Sequence, residues 1–427
     1  MFRKKSEGFC VKLFTCMMVL AALLIFFPGT GSAGEIKYKK GVIKLGHVEG
    51  LTGPIAGQKD AWKGKETIAG IINGKGGIRG HKIETLWADT KFKPTLEVNA
   101  YKKFCSQGIV GMMTCNTAAH TQLKTMGNEY KVPALLSPAQ ELIRKPPHGW
   151  SYSVYPTYGD MAAGMMDWIV KTMWKKSTPP KVAFISTDTS YGRGPQECIP
   201  YLKSKGIETV YIAYVPMTSV DLTPQLMHAD RKGADFIISN ALAEGKALIR
   251  DFKRLGLNKK GKYIISPWTP AFDSIYPGAK KAGSGFLIGT WPVNIPDTEG
   301  QGGLPVMKEL NEYQMKKYGS IQQASLFHAL CTEMIVMCDA VGKAIDAVGY
   351  DKLDGVAVRA QLEKLQMPAS QTFGLMPDLK ATPGKRGMTN QCLITLATDG
   401  KWNLASDGWA SMPNMLDWKN AHPNLAK

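Results

Sequence analysis

The 427-residue sequence lacks the short motifs that mark several common enzyme and metal-binding classes. It contains no Cys-x-x-Cys pair, so a zinc ribbon or a thioredoxin-type site has no support. His120 is not followed by a second histidine four residues later, as a helical zinc-protease motif requires. A Gly-x-Ser-x-Gly elbow and a Gly-Lys-[Ser/Thr] phosphate loop are also absent. We therefore expect no catalytic residues, no cofactor and no resident metal.

Long apolar runs are equally scarce, and the run near the N-terminus is too short to span a bilayer. Residues 13–27 form an almost wholly apolar stretch of 15 residues, whereas a membrane span needs ~20. Basic residues at 3–5 precede it and small residues at 31–33 follow it, which is the order of a secretory signal peptide. We predict a signal peptide over residues 1–33, with a permanent anchor as the alternative. Cys16 precedes most of the apolar run, so a lipid anchor is not expected.

Cysteine is sparse, and six of the eight cysteines follow the predicted signal peptide. Cys331 and Cys338 are seven residues apart on one predicted helix, ~10 Å along its axis, which is too far for a mutual disulfide. An exported protein enters an oxidising compartment, where disulfides are stable. Cys105 and Cys115 are the only pair close enough in the pattern to suggest one.

Acidic residues are outnumbered by basic ones, 35 against 53, which gives a formal net charge of +18. The predicted signal peptide carries +3 of this, so the remaining chain keeps +15. The excess lies in short lysine clusters far apart in sequence, such as 175–176, 259–260 and 280–281. Nucleic-acid binders concentrate basic charge on one face and interleave it with aromatic residues. We therefore expect no nucleic-acid partner.

The hydrophobic pattern alternates between short apolar strands and amphipathic helices, which is typical of parallel α/β sheets covered on both faces. Predicted strands cover 42–48, 82–88, 109–113, 133–137, 181–186, 208–215, 234–239, 262–267 and 285–290. Predicted helices cover 60–73, 94–106, 117–130, 162–174, 194–205, 221–232, 244–255, 305–318, 325–348 and 354–366. The two series of units predict an α/β fold with two doubly wound parallel-sheet lobes, followed by a hairpin over 392–404.

A glycine-rich segment at 74–80 resembles a nucleotide loop in composition only. Its glycines miss the dinucleotide spacing, and it follows a predicted helix and precedes a strand, the reverse of a phosphate loop. A helix C-cap and a turn explain it better. An α/β enzyme such as a dehydrogenase is therefore the weaker alternative.

The most informative loop follows the predicted strand 109–113. Thr114, Cys115, Asn116 and Thr117 are small and polar and lead directly into a helix. Free N–H groups at a helix start and threonine hydroxyls suit a carboxylate, and ligands collect at the carboxyl ends of parallel strands. An ordinary N-cap by Asn116 or Thr117 is the alternative, and the local sequence alone favours it.

An ordered set of segments resembles the type I periplasmic binding proteins of the leucine/branched-chain amino-acid class. The set consists of Ile43-Lys44-Leu45-Gly46 with Leu51-Thr52-Gly53-Pro54, the "IN-x-x-GGI-x-G" stretch from Ile72, Asp89 with Pro94-Thr95, Val132-Pro133 to Ser137-Pro138, and Tyr191-Gly192-x-Gly194. Order and spacing hold from about residue 42 to 290. No single motif is decisive, but the ordered set is specific.

The resemblance implies two α/β lobes joined by three crossovers that close on a ligand by a hinge. The crossovers are expected near 153–157, 283–291 and 372–375. Lobe 1 would then comprise 41–154 and 284–371, and lobe 2 would comprise 155–283 and 372–427. The implied protein is a monomeric, non-enzymatic periplasmic binding component of an ABC importer, which delivers a small ligand to a membrane permease. A ligand sensor of the same fold, of the amide-binding kind, is the alternative.

The resemblance also assigns ligand-binding residues. It supports residues 114–117 as the anchor of a ligand carboxylate, so the ligand is expected to be anionic. Tyr191 would close over the ligand from the second lobe. Further predicted contacts are Ala139 and Gln140 after the fourth strand, Gln58 and Trp62 in the first-loop region, and Asn240 where a tyrosine is common.

Trp268 is the main departure from the family pattern. Amino-acid binders carry an acidic residue near this position that pairs with the ligand ammonium, and tryptophan has no charge to offer. Glu49 and Asp188 are possible replacements, but neither is favoured. Because a buried, unpaired ammonium is destabilised by several kcal/mol, an aromatic or aliphatic acid enclosed by Trp268, Tyr191, Trp62 and Trp291 becomes the competing ligand class. Each of these aromatic residues could equally be core.

Overall fold

The computed structural model describes residues 41–114, 116–137, 140–293, 304, 306–322, 325–381, 384 and 386–426. The predicted signal peptide and the predicted site residues Cys115 and Ala139 lie outside these residues. The described chain alternates strands and helices, so the predicted α/β class is confirmed.

The first sheet has five parallel strands in the order β2-β1-β3-β4-β5. They are β1 Val42–Glu49, β2 Lys82–Asp89, β3 Gly111–Thr114, β4 Ala134–Leu136 and β5 Ser151–Ser153. We call this sheet and the helices packed on it the first lobe.

The second sheet has the order β14-β13-β10-β9-β8-β6-β7. Strands β6 to β10 pair in parallel, whereas β13 runs antiparallel to both β10 and β14. Its strands are β6 Lys181–Thr187, β7 Glu208–Val215, β8 Phe236–Ile238, β9 Tyr263–Ser266, β10 Leu287–Trp291, β13 Gln391–Thr398 and β14 Lys401–Leu404, with β15 Ala410–Ser411 beside β13. We call this sheet and its helices the second lobe. Strands β11 Gln366–Met367 and β12 Leu379–Lys380 form a separate antiparallel pair.

Fourteen α-helices lie within the described residues: α1 Lys63–Gly74, α2 Pro94–Ser106, α3 Thr117–Tyr130, α4 Tyr158–Thr172, α5 Ser190–Arg193, α6 Ile199–Ser204, α7 Thr223–Arg231, α8 Gly245–Arg254, α9 Thr269–Ile275, α10 Ala279–Ala282, α11 Val306–Tyr318, α12 Ser325–Val348, α13 Gly355–Leu362 and α14 Met415–Ala421. Local sequence explains several of their starts. The Asn116 side chain accepts from two N–H groups of α3, and Thr157 with Asp160 forms a capping box on α4. Pro94 occupies the first turn of α2.

Both sheets bury alternate residues on opposite faces. In the first lobe, Leu45 and Met113 pack in the same core cluster as the apolar side chains of α12, whereas Met112 and Ala134 pack with those of α2 and α3. In the second lobe, Phe184 packs with the methionines of α4 and the neighbouring residues of β6 pack with α7 and α8. This two-sided burial explains why the strands read as continuous apolar runs in the sequence.

Two predicted lobe boundaries need correction. Strand β10 pairs with β9 and β13 and so belongs to the second lobe, although the boundary before residue 284 placed it in the first. The third connection also lies later than 372–375, because β11 pairs with β12 and the Met388 N–H donates to Ser153 O of β5. The chain then enters β13 at Gln391. Apolar periodicity identifies a strand but carries no information about its partner, which is why both boundaries were misplaced.

The described cysteines 105, 198, 331, 338 and 392 are free thiols. Because Cys105 is a free thiol, the suggested disulfide between Cys105 and Cys115 is wrong.

Candidate functional site

A small cavity of about 20 Å³ lies where the carboxyl-terminal edges of the two sheets face each other. Ser137 follows β4 on one side, and Leu242 and Trp268 follow β8 and β9 on the other. Ligands of open α/β sheets bind at this edge. The volume accommodates one or two water molecules. The lining residues are Ile55, Gln58, Phe92, Ser137 and Leu326 from the first lobe and Tyr158, Tyr191, Leu242, Trp268 and Ala271 from the second.

Three of the predicted site residues line this cavity: Gln58, Tyr191 and Trp268. The Gln58 side-chain amide donates to Ala271 O at 3.2 Å, a hydrogen bond that crosses from one lobe to the other. The Trp268 indole is buried and lies 5.3 Å from the Tyr155 ring, centroid to centroid.

Tyr191 and Tyr158 form an aromatic pair at the centre of the cavity wall. Their rings meet edge to face at 5.2 Å, and the Tyr158 hydroxyl lies 3.1 Å from the Thr117 Oγ1 atom of the first lobe. The Tyr191 hydroxyl is buried and has no hydrogen-bond partner within the described part of the chain. Burial raises the pKa of Tyr191 well above its ordinary value, so the hydroxyl keeps its proton and remains a donor as well as an acceptor.

Thr114, Asn116 and Thr117 of the predicted carboxylate loop are not among the residues that line the cavity. The Thr114 hydroxyl donates to the buried Glu97 carboxyl, and Asn116 Oδ1 accepts from Ala118 and Ala119 N–H groups as an N-cap. Two members contact residues that line the cavity: the Thr117 hydroxyl lies 3.1 Å from the Tyr158 hydroxyl, and the Asn116 amide donates to Phe92 O at 3.0 Å. Burial raises the pKa of Glu97 to about 7, against the opposing effect of the Thr114 hydroxyl.

The other predicted residues lie outside the cavity. The Trp62 ring stacks on that of Trp87 in β2, with 5.3 Å between the ring centroids. Its centroid lies 6.4 Å from that of His47 in β1. Gln140 donates to Ser190 O at 2.7 Å across the lobes. Asn240 is buried, and its side-chain amide donates to the main-chain oxygen of Tyr191 at 3.1 Å. This hydrogen bond helps to fix the position of Tyr191.

The second-lobe side of the site contains a cluster of buried oxygen atoms without ordinary hydrogen-bond partners in the described residues. Besides the Tyr191 hydroxyl it includes Asn240 Oδ1 and both carboxyl oxygens of Glu244, which is 2% exposed. Burial raises the pKa of Glu244 to about 7, while nearby main-chain N–H groups and the Thr187 hydroxyl oppose this effect. Further buried hydroxyls without a hydrogen-bond partner among the described residues belong to Ser239 and Ser266, at the ends of strands β8 and β9. The cluster is rich in acceptors, so it suits a group that donates hydrogen bonds.

Sequence reasoning missed Glu244, a buried acid whose charge contributes to the raised pKa of Tyr191. The two acids it considered have other partners: Glu49 pairs with Lys65, and Asp188 is exposed and pairs with Arg193. A signal was available, because Glu244 is the single charged residue in the loop that follows β8.

The first-lobe side has a buried polar chain that sequence reasoning also missed. The Ser137 hydroxyl donates to Glu333 Oε1 at 2.5 Å. The second Glu333 oxygen lies 3.3 Å from Lys65 Nζ, which in turn lies 2.5 Å from Glu49 Oε1. Lys65 and Glu333 are fully buried. A signal was available, because Glu333 is the single acidic or basic side chain other than histidine within residues 326–338 of α12.

The segment after β4, over residues 141–144, contacts the second lobe through charged groups. The buried Arg144 guanidinium lies 2.8 Å from Asp160 of α4. The Glu141 N–H donates to both oxygens of Glu197 at 3.1 and 2.9 Å, and Lys419 lies 2.5 Å from the Glu141 carboxylate. These contacts join the two lobes next to the first chain connection.

A search of the described residues finds no cluster of His, Cys, Asp and Glu that could hold a metal ion. Within the same residues, no helix has both the length and the apolar character that a membrane crossing requires.

Known proteins resemble this chain over most of its described length. Among curated relatives, the Leu/Ile/Val-binding protein homolog 3 of Brucella melitensis is 28% identical over 224 residues, which span 50% of this chain and 59% of that relative. The Leu/Ile/Val-binding protein homolog 7 of Brucella suis is 24% identical over 344 residues, which span 77% of this chain and 83% of that relative. The chain thus matches about three fifths of the length of the first relative and more of the second.

Two solved structures show the same fold. A branched-chain amino-acid ABC-transporter protein of Thermus thermophilus with bound valine has a TM-score of 0.76 at 14% identity, covering 91% of this chain and 100% of that one. A solute-binding protein of R. palustris in complex with 4-hydroxybenzoate has a TM-score of 0.69 at 16% identity, covering 87% and 98%. A family model described as periplasmic binding protein matches residues 42–401, from β1 to the first residue of β14. Because this match covers most of the chain, the protein belongs to the periplasmic binding protein family.

Proposed function

We propose that the protein captures a small carboxylate-bearing molecule between its two lobes in the periplasm and delivers it to the permease of an ABC importer. In this account it acts as a monomer, has no enzymatic activity and is exported by the N-terminal signal peptide. The family supports the binding role. The names of its relatives, which refer to leucine, isoleucine and valine, and the neighbour with 4-hydroxybenzoate support a carboxylate ligand.

The observation that carries the proposal is the cavity itself. Both lobes contribute its walls, and the buried hydroxyl of Tyr191, one of its second-lobe lining residues, has no hydrogen-bond partner among the described residues. A volume of about 20 Å³ is far smaller than a carboxylic acid of the size that the neighbours bind. Ligand entry therefore requires the lobes to separate, and a hinge between the lobes supplies that motion.

The different polarity of the two cavity walls determines the orientation of the bound ligand. The Thr117 hydroxyl, 3.1 Å from the hydroxyl of the cavity-lining Tyr158, suits the carboxylate on the first lobe. The acceptor cluster of Tyr191, Asn240 and Glu244 suits a donor group at the other end, such as an ammonium or a phenolic hydroxyl. Trp268 and Phe92 contact the apolar part between these ends.

A thermal-shift screen of the purified exported chain tests this function. The panel is L-valine, L-leucine, 4-hydroxybenzoate, octanoate, an amide and a nucleotide. A carboxylate at 100 times its dissociation constant is expected to add about 2.7 kcal/mol to the free energy of unfolding. Stabilisation by the nucleotide alone would contradict the proposal.

Two variants locate the site in the same screen. Tyr191→Ala removes a cavity wall and is expected to abolish the shift. Trp62→Phe changes an aromatic residue of the first lobe outside the cavity and is expected to preserve it.

A further inference from the structure

Ser137 is the polar side chain through which the cavity contacts the buried ionic chain of the first lobe. Ser137 lines the cavity, and its hydroxyl donates its one proton to Glu333 at 2.5 Å. While Glu333 is ionised, this proton stays on the carboxylate side of the hydroxyl. Ser137 then presents only lone pairs to the cavity, and lone pairs repel a ligand carboxylate.

A proton on Glu333 reverses this polarity. The carboxylic acid then has an O–H that donates to Ser137 Oγ, and the serine hydroxyl becomes available to donate into the cavity. The distance and the atoms remain the same, and the direction of both hydrogen bonds changes. The cavity wall changes from an acceptor to a donor.

We propose that Glu333 is a positioning residue that sets the hydrogen-bonding polarity of Ser137, so that capture of an anionic ligand takes up one proton. The inference rests on the proposed function. The proton comes from solvent and is bound by Glu333, and it returns to solvent when the ligand leaves. No covalent bond of the ligand changes.

The groups that face Glu333 support this role. Lys65 of α1 lies 3.3 Å away and favours the carboxylate, whereas Glu49 of β1 favours the neutral acid. The ring of Tyr155 also packs beside α12, with its hydroxyl bonded to Ala329 O and Thr332. Burial raises the pKa of Glu333 to about 7, so both protonation states are accessible near neutral pH. An anion placed at Ser137 adds negative charge and raises the pKa of Glu333 further.

The coupling between ligand binding and protonation of Glu333 predicts how affinity depends on pH. Well below pH 7 Glu333 is protonated before binding, so affinity is independent of pH and no proton is taken up. Above pH 7 binding takes up about one proton, and affinity falls about tenfold for each pH unit until the pKa of the bound state is reached.

Isothermal titration calorimetry in buffers of different ionisation enthalpy measures the proton number. The probes are L-valine, 4-hydroxybenzoate and octanoate, each at pH 5.5 and pH 8.0. Wild-type protein is expected to take up close to one proton more at pH 8.0 than at pH 5.5. With octanoate, which has no donor group for the Glu244 carboxyl, Glu333→Gln is expected to lose this difference and to bind at pH 8.0 within about threefold of wild-type protein at pH 5.5.

Two further variants separate this role from a structural one. Ser137→Ala removes the hydroxyl that couples Glu333 to the cavity, so it should also lose the extra proton. Asp339→Asn is the matched control, because Asp339 lies on the same helix with a lysine partner at 2.7 Å, has a pKa raised by burial and does not line the cavity. It should behave as wild type.

The outcomes distinguish the two proposals. Binding of a carboxylate with the same proton number in wild type, Glu333→Gln and Ser137→Ala would overturn the role of Glu333 and leave the proposed function standing. Absence of binding by every carboxylate in wild-type protein at both pH values would overturn the proposed function and the inference with it.

Discussion

At the scale of single residues, removal of the Tyr191 hydroxyl is expected to weaken ligand binding without lowering the stability of the fold. A buried hydroxyl without a partner lowers the stability of the fold, because its water hydrogen bonds are lost and not replaced. We expect Tyr191→Phe to leave the free energy of unfolding unchanged or slightly higher, and to weaken ligand binding about tenfold. Urea denaturation and calorimetry provide the two measurements.

Tyr101→Phe is the matched control for that variant. The Tyr101 hydroxyl is also buried, but it donates to Val132 O at 2.7 Å, away from the cavity. Its removal should lower the free energy of unfolding by about 1 to 2 kcal/mol and leave binding unchanged. The opposite pattern in either variant would contradict the assignment of Tyr191 to the site.

Glu244 gives a second prediction at this scale, concerning ligand class. Because its carboxyl group is buried beside Tyr191 without an ordinary partner, it suits an ammonium or a phenolic hydroxyl. Glu244→Gln should weaken binding of L-valine or 4-hydroxybenzoate by about tenfold and leave octanoate, which has no second donor group, within about twofold. Asp188→Asn, which changes an exposed acid of the same lobe, should affect none of them. Equal weakening of all three ligands by Glu244→Gln would show that the residue does not select for a donor.

At the scale of elements, the contact between the segment after β4 and helix α4 is a buried ionic link between the lobes. Arg144 and Asp160 are both buried, and Asp160 also accepts from the Thr157 and Met415 N–H groups. Arg144→Met would leave the Asp160 carboxylate without its cation, so we expect a loss of about 3 to 5 kcal/mol in the free energy of unfolding.

The exposed pair of Arg193 and Asp188, at 2.6 Å, is the control for this element. Arg193→Met should lower the free energy of unfolding by less than about 1 kcal/mol, because water screens an exposed ion pair. Similar losses in both variants, measured by urea denaturation, would argue against the buried pair as a link between lobes.

Much of the fold was predictable at this scale, and the site was only partly so. Local patterns located α2, α3, β7 and α12 with the bounds that the structure has, because capping residues and apolar periodicity act locally. The pairing of β10 depends on residues far along the chain. The roles of Ser137, Glu244 and Glu333 depend on burial, which a single sequence does not report. Tyr191 and Trp268 were predictable because a family resemblance carries three-dimensional information.

At the scale of the whole molecule, buried carboxyl groups give stability an unusual pH dependence. Burial raises the pKa of several glutamates to about 7 or 8, so the folded state keeps protons that the unfolded chain has lost above pH 4.5: Glu97, Glu197, Glu244 and Glu333. The contribution of these glutamates to the free energy of unfolding therefore falls as pH rises. Buried His120, with a pKa lowered to about 3, opposes this trend only up to the ordinary histidine value near 6.5.

We therefore expect the free energy of unfolding to fall by roughly 3 kcal/mol between pH 6.5 and pH 8.0 in urea titrations. Glu97→Gln should reduce this slope, and Glu84→Gln, which changes an exposed residue of β2, should leave it unchanged. Stability that rises over the same interval would contradict the assigned protonation of these glutamates.

The central claim is that both lobes enclose one ligand, and hydrogen–deuterium exchange of the exported chain tests it most directly. The carboxylate that gives the largest thermal shift is added at saturation, and peptides are compared with and without it. The account predicts slower exchange in both cavity walls, over 55–58 in the first lobe and 268–271 in the second, with no change over the distant strand β7. Protection confined to one lobe, or located away from the cavity, would contradict it.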